Sequence, residues 1–388
     1  MNSPPSIRNN AQPLAAVVLA AGASSRMGRL KPLLPLAGIP ALERAIAVFH
    51  DAGIDDVRVV LGHRAQDLRP LVERCRARCI ENPSFAEGMY SSVLAAARAL
   101  QPPTRAAFIL PADVPLVRAA TIRQLAAAFL AGSSAIVYPT FDNRRGHPPL
   151  IARAILDEAA NGAPGPLRTL LAQHEHNAIE VPVVDEAIHL DMDTPADFDR
   201  LRRLAARRAI PTRVECEAML EQHSVPEARI RHSRKVAEVA ETIAEALAAT
   251  GLAIDPELAN AGALLHDIAK GQPKHAEAGA AIVRSYDMPT VAAIVAAHTE
   301  INFTGTLDER AIVYLADKLV AGEQIVTLEE RFQPALLRFR DNPEARNAAR
   351  RRKAVAEQIA AAIEARAGAP LTAILRQGLH PSMKEAAR

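Results

Sequence analysis

The stretch VVLAAGASSRMG, residues 17–28, decides the fold of the first half of this chain. It is an aliphatic run that leads into a loop containing Gly22 and Gly28. A basic residue, Arg8, precedes the run, so a secretory signal peptide is one interpretation, although prolines at positions 4, 5 and 13 argue against it. The alternatives are a buried strand with an ordinary turn, and a strand whose glycine loop binds phosphate.

The pattern that follows this stretch favours a strand. Short aliphatic runs alternate with amphipathic segments from residue 14 to about residue 204. The predicted strands are Ala15–Ala20, Val57–Leu61, Ala107–Leu110, Ala135–Tyr138 and Ala178–Val181, and the predicted helices are Ala41–Ala52, Ala65–Arg76, Ser91–Leu100 and Ala119–Ala131. This alternation predicts an α/β doubly wound, mostly parallel sheet of Rossmann-like type, which binds ligands at the carboxyl ends of its strands.

The second half of the sequence has a different spacing of apolar residues. After Arg213, long Ala/Leu/Ile/Val patterns opposed by Glu, Arg and Lys predict an all-α domain. The predicted organisation is a disordered N-terminus over 1–13, the α/β domain over 14–205, a basic linker over 206–224, the helical domain over 225–335 and a C-terminal helical extension over 336–388. No chemistry is assigned to the extension.

Composition excludes several classes of protein. The net charge of +2 and the 3% of aromatic residues argue against a nucleic-acid partner. The three cysteines, Cys75, Cys79 and Cys216, form no CxxC pair, which argues against a disulfide framework and predicts a reducing cytoplasm. No apolar run approaches the ~20 residues that span a bilayer, so no membrane partner is expected.

The loop after the first predicted strand has the chemistry for a triphosphate. Gly22 lets backbone N–H groups approach phosphate oxygens, while Arg26 and Lys31 bring positive charge for a departing pyrophosphate. The spacing is neither a Walker loop nor GxGxxG. An ordinary turn with surface basic residues remains the alternative on this chemistry alone.

Carboxylates lie where the sheet is expected to end. Asp113 follows an apolar strand, a position from which a carboxylate can hold Mg²⁺ against a nucleotide. Asp191 and Asp193 also follow a short apolar run. Thr194 and Asp197 are predicted to form a capping box, which leaves Asp191 and Asp193 available for metal.

Five segments in order resemble the MobA-like nucleotidyltransferases, and within them the molybdenum cofactor cytidylyltransferases. They are LAAGASSRMGRLKPLLPLAG (19–38), NPSFAEGMYSSV (82–93), PADVP (111–115), GHPPLI (146–151) and LDMDTPADF (190–198). The resemblance covers essentially residues 14–204. The alanine at position 21 resembles the cytidylyl branch of the family, since guanylyl relatives tend to have glycine at this position. The alanine at position 112 is a departure, because many relatives have glycine there.

The resemblance implies CTP, Mg²⁺ and a molybdopterin-type phosphate that attacks the α-phosphorus as pyrophosphate leaves. Arg26, Lys31 and Asp113 would be catalytic, with Asp113 and Asp193 at the magnesium ion and His147 on the acceptor side. The implied nucleotide-binding residues are Leu19, Ala20, Ala21, Gly22, Ser24, Arg26, Lys31, Asn82, Gly88, Ser91 and Ser92. A sugar- or choline-type phosphate is the alternative acceptor.

A second constellation lies in the helical half. Its members are imidazoles and carboxylates, the ligands of divalent transition metals: His232, His266, Asp267, His275, His298 and Asp317. LLHDIAK and YLADKL place charge within strongly apolar helices, where burial without a metal would be costly. Any one of these histidines could be a surface or hydrogen-bonded core residue, but the set predicts a metal site.

The segments RHSRKVAEVA, LLHDIAKG, KHAEAGA, AAHTE and YLADKLV resemble the HD-domain metal-dependent phosphohydrolases over roughly residues 225–330. The resemblance implies His232, His266, Asp267 and Asp317 around one ion, and His275 and His298 with bridging Asp267 around a second. Lys270 would neutralise substrate phosphate. Iron, manganese and magnesium are all compatible, and the group with the greatest likeness hydrolyses dinucleoside polyphosphates.

The leading hypothesis is a bifunctional cytoplasmic enzyme, a cytidylyltransferase joined to a phosphohydrolase of a nucleotide-type substrate. Two alternatives keep the same domains. In one, the HD domain is a nucleotide-sensing regulator of the transferase. In the other, the chain is an accessory protein that delivers cofactor to a molybdenum hydroxylase, which would be its client.

Overall fold

A computed structural model describes residues 14–22, 30–162 and 165–378. The chain divides into two compact units, residues 1–208 and 209–388. The terminus predicted as disordered (1–13) lies outside the described residues, and so do Ser24, Arg26 and Gly28 of the predicted phosphate loop. In the part of the chain that is described, no helix is both long enough and apolar enough to cross a membrane.

The first unit alternates strands and helices. Its strands are β1 Leu14–Ala20, β2 Pro35–Leu36, β3 Ile39–Pro40, β4 Asp56–Leu61, β5 Arg78–Glu81, β6 Ala106–Pro111, β7 Ile136–Phe141, β8 Arg144–Arg145, β9 Leu150–Ala152 and β10 Ala178–Pro182. Its helices are α1 Ala41–Asp51, α2 Ala65–Arg74, α3 Met89–Ala99, α4 Ala119–Ala131, α5 Arg153–Ala160, α6 Leu167–Gln173 and α7 Pro195–Ala206. Short 3-10 turns cover Lys31–Leu33, Phe85–Glu87, Glu175–Asn177 and Glu186–His189.

The main sheet has the order β10-β7-β9-β6-β1-β4-β5, with β8 paired to β7. β1 is parallel to both of its neighbours, and Leu19 lies opposite Val60 of β4 and Pro111 of β6. Only β9 runs antiparallel within this path, because it returns from β7 between that strand and β6. The predicted doubly wound, mostly parallel sheet is confirmed.

The VVLA run belongs to β1, an interior strand of the sheet, and both faces of this strand are covered. Ala16 and Val18 belong to the apolar core on one face of the sheet, and Ala15 and Val17 belong to the core on the other. All four side chains are fully buried. Burial on both faces is the reason that β1 is continuously aliphatic rather than alternating. A signal peptide is therefore the wrong interpretation of this stretch.

A buried carboxylate organises the chain before the Asp191–Asp193 segment. Asp185 is fully buried and accepts hydrogen bonds from the Arg118 N–H (2.7 Å) and the Thr121 hydroxyl (2.8 Å), and it also pairs with the Arg208 guanidinium. A 3-10 turn, and not a strand, then leads to Asp191, so the prediction that these carboxylates follow a strand end is wrong. The predicted capping box of Thr194 and Asp197 at the start of α7 is confirmed.

The second unit is helical apart from one small hairpin. Its helices are α8 Arg213–Gln222, α9 Glu227–Ala248, α10 Pro256–Leu265, α11 His275–Ser285, α12 Pro289–Ala297, α13 Glu309–Lys318, α14 Leu328–Arg338, α15 Pro343–Ala367 and α16 Leu371–Gly378. The hairpin pairs β11 Val320–Ala321 with β12 Gln324–Ile325. Helix α8 lies within the segment 206–224 that the sequence predicts as a linker.

The C-terminal helices pack on the rest of this unit. The Tyr314 hydroxyl of α13 donates to the Arg352 carbonyl of α15 at 3.1 Å, and the Arg366 guanidinium donates to the Thr250 carbonyl at 2.8 Å. A Cβ at Gly378 would lie 2.3 Å from a methyl group of Thr242 on α9, so α16 approaches α9 closely. The extension is therefore part of the helical core rather than a separate appendage.

Candidate active sites

A cavity of about 310 Å³ lies at the carboxyl ends of β1 and β6. Parallel pairing brings the residues after these strands to one edge, which is where ligands bind in open α/β sheets. Its lining residues are Leu19, Ala20, Ala21, Gly22, Lys31, Pro32, Phe85, Gly88, Met89, Ser92, Pro111, Ala112 and Asp113. Five lining residues were not predicted as site residues, because they carry no chemical signal of their own: Pro32, Phe85, Met89, Pro111 and Ala112.

The charged groups of this cavity are coupled. The Lys31 ammonium donates to Asp193 Oδ1 at 2.8 Å, although the two residues lie 162 positions apart. Burial raises the pKa of Asp113, the positive charge of Lys31 opposes that rise, and the negative charges of Asp193 and Asp191 add to it. Asp113 in the cavity lining and Asp193, which bonds to Lys31, thus place two carboxylates near one ammonium, the donor chemistry that suits a magnesium–triphosphate complex.

Asn82 and Ser91 lie behind the cavity wall rather than in it. The Asn82 amide donates to the hydroxyls of Ser91 (2.8 Å) and Ser92 (3.0 Å), and the Ser91 hydroxyl donates to the Gly88 carbonyl. All three polar side chains are buried. Gly88 has a φ of +99°, a left-handed conformation that glycine adopts without strain. This network fixes the backbone that presents Gly88 and Ser92 to the cavity.

The segments that follow β1, β4 and β5 meet closely beside the cavity. A Cβ placed on Gly62, just after β4, would lie 2.6 Å from the Phe85 side chain and 2.9 Å from the Ala21 Cβ. The His63 N–H donates to the Ala21 carbonyl at 3.1 Å. The Ala21 methyl group thus lies against the backbone of Gly62, and Ala21 is one of the residues that line the cavity.

A second cavity of about 520 Å³ adjoins the first, and the two share Leu19, Met89 and Pro111. Most of its walls are aliphatic or proline side chains, and its polar members are Tyr90, Tyr138, Arg145, His147, Arg168 and Glu175. His147 therefore faces the second cavity and not the first. Desolvation by the cavity walls and the nearby charge of His189 lower the pKa of His147, which favours the neutral imidazole.

In the second unit, the six predicted ligands come together in two adjacent groups, His232–His266–Asp317 and Asp267–His275–His298. Within each group the candidate ligand atoms all lie within 4.8 Å of one another. Asp267 faces both groups: its Oδ1 is 3.4 Å from His298 Nε2, and its Oδ2 is 3.7 Å from His266 Nε2. Ligand atoms around one ion at about 2.1 Å lie about 3.0–3.4 Å apart, close to these separations.

Backbone carbonyls fix the tautomers of three of these histidines. Nδ1 of His232 contacts the Gly322 carbonyl at 2.8 Å, and Nδ1 of His266 and of His298 contact the carbonyls of Ala263 and Val295, each at 2.6 Å. A carbonyl can only accept, so Nδ1 carries the proton and Nε2 presents its lone pair to the cluster. This is the usual arrangement of metal-ligating histidines.

The electrostatics fit a bound cation. The ring of His266 is fully buried, and its Nε2 has no hydrogen-bond partner among the described residues, which is costly unless an ion occupies the cluster. Burial lowers the pKa of both His275 and His298, which keeps them neutral. Burial alone would raise the pKa of Asp317, but the adjacent ammonium of Lys318 lowers it well below its usual value. The donors present therefore fit a divalent metal.

Two lysines flank the carboxylates. Lys270, the predicted phosphate-binding residue, lies with Nζ 3.2 Å from Asp267 Oδ1. Lys318, which sequence reasoning missed, is buried, and its Nζ donates to Asp317 Oδ2 (2.7 Å) and to the His298 carbonyl (2.8 Å). It thereby holds one oxygen of Asp317 and leaves the other facing His232 and His266.

We expect Mn²⁺ to raise the melting temperature of the chelator-treated protein, because a ligand at 100 times its Kd stabilises the folded state by about 2.7 kcal/mol. His298→Ala should reduce this rise in thermal unfolding experiments. His223→Ala is the control, since that ring contacts the Tyr286 hydroxyl at 3.2 Å and lies outside both groups. An equal metal response in wild type and His298→Ala would contradict the assignment.

Two family models match this chain, and one match falls in each of its two compact units. The family model of the MobA-like NTP transferase domain matches residues 16–178, and that of the HD domain matches residues 229–322. The second match contains all six candidate metal ligands.

Two relatives resemble the transferase half of the chain. The molybdenum cofactor cytidylyltransferase of Escherichia coli (strain K12) is 30% identical over 184 residues, which are 47% of this chain and 92% of the relative. The nicotine blue oxidoreductase of Paenarthrobacter nicotinovorans is 31% identical over 193 residues, 48% of this chain and 94% of the relative. Among solved structures, a nucleotidyl transferase from Methanothermobacter thermautotroptrophicus is 25% identical with a TM-score of 0.45, covering 50% of this chain and 98% of that one.

Proposed function

The chain belongs to the MobA-like NTP transferase family and carries an HD domain after the transferase domain, and we propose that it is a bifunctional enzyme. The first activity is CTP-dependent cytidylyl transfer to a molybdopterin-type phosphate with release of pyrophosphate. The second is metal-dependent hydrolysis of a nucleotide-type phosphate. We assign them to residues 14–205 and 225–335.

The observation that carries the transferase proposal is the pair of adjoining cavities. The first is charged, with Lys31 and Asp113, and the second is largely apolar. Their shared rim at Leu19, Met89 and Pro111 is where a phosphate from the second cavity would meet a nucleotide in the first. There the acceptor oxygen forms its bond to the α-phosphorus, and the bond to the bridging oxygen breaks as pyrophosphate leaves with the electron pair.

Such a transfer needs positioning and charge neutralisation rather than a covalent nucleophile. Lys31 offers an ammonium to the triphosphate, and Asp113 and Asp193 would hold Mg²⁺, which supplies further neutralisation of the phosphate charge when bound. The buried Asn82–Ser91–Ser92 network keeps the Gly88 backbone in position for the nucleotide. Arg26 belongs to this proposal by its sequence position alone.

The apolar second cavity favours a flat heteroaromatic acceptor over a sugar phosphate. Ten of the sixteen lining residues are aliphatic, methionine or proline and suit the faces of a flat ring, whereas the hydroxyl groups of a sugar would depend on the six polar ones. The likeness to the E. coli molybdenum cofactor cytidylyltransferase supports the same acceptor class. Sugar- and choline-type phosphates remain the alternative substrates to assay.

For the HD domain, the supporting observation is the pair of ligand groups with preset tautomers. His232, His266 and Asp317 would hold one ion, and Asp267, His275 and His298 a second. Divalent ions, for which iron, manganese and magnesium are candidates, supply Lewis-acid activation of water and of the phosphate when bound. Lys270 lies beside Asp267, where its ammonium can meet a substrate phosphate.

The decisive experiment is product analysis of the purified protein with each of the four nucleoside triphosphates, with and without molybdopterin. Pyrophosphate release and a cytidylylated product specific to CTP are expected. If no triphosphate gives a product with molybdopterin, or if another one is preferred, the transferase assignment fails. A panel of dinucleoside polyphosphates tests the hydrolase in the same preparation, and co-purification with a molybdenum hydroxylase would favour the accessory alternative.

We expect Ala21→Gly to lower the preference for CTP over GTP by about tenfold in kcat/KM, since one methyl group in a tight pocket is worth roughly that factor. The substitution removes the methyl group of a cavity-lining residue that packs against the Gly62 backbone. Ala112→Gly is the matched control, because it removes a methyl group beside Asp113 in the same cavity. Equal base preference in the two variants would contradict this role for Ala21.

A further inference from the structure

A buried lysine contacts the candidate metal ligands of the helical unit. Lys318, the last residue of α13, is 8% exposed, and its Nζ lies 4.4 Å from the centre of the Tyr314 ring. Nζ donates to Asp317 Oδ2 at 2.7 Å and to the His298 carbonyl at 2.8 Å. The partners of the ammonium are therefore an aromatic face, a carboxylate and a carbonyl, which offset the loss of its hydration.

These contacts connect the two ligand groups. Asp317 belongs to the first group, with Oδ1 3.4 Å from His232 Nε2 and 3.6 Å from His266 Nε2. His298 belongs to the other group and is the C-terminal cap of α12, where carbonyls have no partner within the helix. One ammonium thus holds the helix end that carries His298 beside the Asp317 carboxylate.

The charge of Lys318 is unfavourable for metal binding taken alone. A buried ammonium next to a ligand repels a dication, and this repulsion is screened little away from water. A neutral donor in the same place would hold the carboxylate without repelling the ion. The ammonium does restrain Asp317 strongly, because hydrogen bonds between charged groups are roughly twice as strong as neutral ones. Since Oδ2 is bonded to Nζ, Oδ1 is the oxygen that faces His232 and His266.

We propose that Lys318 is a positioning residue of the hydrolytic site, whose ammonium restrains Asp317 to a single-oxygen contact with the ion in the first group and so keeps a coordination position open for the reaction. The proposal rests on the proposed hydrolase function and adds a residue that acts through Asp317. A bidentate carboxylate takes two positions around an ion, and catalytic metal sites differ from closed structural sites in the position they keep open. The restraint therefore lowers the affinity for the metal and preserves access to it.

The test compares Lys318→Met with Tyr314→Phe in the full-length protein. Both variants lose a buried hydrogen bond beside the cluster, since the Tyr314 hydroxyl donates to the Arg352 carbonyl, but only Lys318→Met removes the donor to Asp317. In calorimetric titration of the chelator-treated protein, we expect Lys318→Met to bind Mn²⁺ about tenfold more tightly than wild type, because the repulsion from the ammonium is gone. Hydrolysis of the best substrate in the polyphosphate panel should fall about tenfold or more in kcat/KM.

Tyr314→Phe keeps the ammonium, so both quantities should stay within about twofold of wild type. The electron paramagnetic resonance spectrum of bound Mn²⁺, which reports the coordination of the ion, should change in Lys318→Met and not in Tyr314→Phe. Lys318→Gln loses the charge but keeps a neutral donor, and it should also bind Mn²⁺ more tightly. It supplies the same readouts if Lys318→Met does not fold.

A lysine with a purely structural role would lower the melting temperature and leave the affinity for Mn²⁺ unchanged. Affinity equal to or below that of wild type in the folded Lys318 variant, unchanged hydrolysis, or equal effects in Tyr314→Phe would overturn the proposal. If wild type hydrolyses no substrate in the panel, the proposed hydrolase function fails, and the Mn²⁺ titration and spectrum still decide the role of Lys318.

Discussion

Asp113→Asn is expected to lower cytidylyl transfer by about two to three orders of magnitude, the usual effect of removing one preorganised electrostatic partner of a transition state. The side chain keeps its size, but the negative oxygen that would hold magnesium is replaced by a neutral amide. Asp113 lines the nucleotide cavity just beyond β6, and its pKa is coupled to Lys31, Asp193 and Asp191. Pyrophosphate release with CTP and molybdopterin at saturating Mg²⁺ measures the effect.

Asp191→Asn is the matched control for this variant. Asp191 carries the same charge and interacts electrostatically with Asp113, but it is exposed and does not line the cavity. Its transfer rate should stay within about tenfold of wild type, because a solvated charge contributes little. Hydrolysis by the HD domain should be unchanged in both variants. A transfer rate for Asp113→Asn above a tenth of wild type would rule out the proposed magnesium role.

Asp267→Ala should abolish phosphohydrolysis, with a loss of about three orders of magnitude or more, since this carboxylate faces both groups of candidate metal ligands. Burial alone would raise the pKa of Asp267, and the positive charge of Lys270 opposes that rise. Hydrolysis of the best substrate in the polyphosphate panel, at fixed Mn²⁺, measures the loss. Metal content per chain provides a second readout and should fall as well.

Removing one member of a buried ionic cluster also destabilises the fold, by about 3–5 kcal/mol in comparable cases. Asp267→Asn, which preserves the shape, is therefore assayed beside the alanine variant, with Glu238→Gln on the exposed face of α9 as the control. Cytidylyl transfer decides between the two functional hypotheses. If it is unchanged while hydrolysis is lost, the two domains are independent enzymes. If the rate of cytidylyl transfer changes strongly, the HD domain regulates the transferase, and the proposal of two independent activities is wrong.

Residues 17–28 show which features of the fold and the site can be predicted from a local sequence pattern. Its continuous aliphatic residues predict a strand covered on both faces, and β1 confirms this. The glycine and carboxylate chemistry after the strands predicts a phosphate site, and Gly22, Lys31 and Asp113 do line one cavity. Ser24 and Arg26 lie outside the described residues, so their roles remain predictions.

Roles that depend on side-chain direction could not be predicted. Asn82 and Ser91 have the polar chemistry of ligand-binding residues, yet they bond to each other and to Gly88 behind the wall. In contrast, Phe85 and Met89 line the cavity although nothing in their chemistry indicates it. Which face of a loop meets the cavity depends on packing between strand ends, such as the contact of Gly62 with Phe85, which no local period encodes.

In the helical half, too, the identity of the site residues could be predicted, but the contacts that position them could not. The six candidate ligands could be named from the sequence because buried charge in apolar helices needs a partner. The sequence did not indicate that the Gly322 carbonyl, 90 positions away, would orient His232, or that Lys318 would hold Asp317.

By itself, the sequence determined the two fold classes, the first strand of the sheet and the identity of the chemical groups, because periodicity and side-chain chemistry are local properties. Only the tertiary structure decided which groups face one another: two adjoining cavities, two ligand groups sharing Asp267, and the pairing of Arg145 with Glu175 across 30 positions. Those contacts arise from strand order and helix packing, which bring distant segments together through the cores they bury in common.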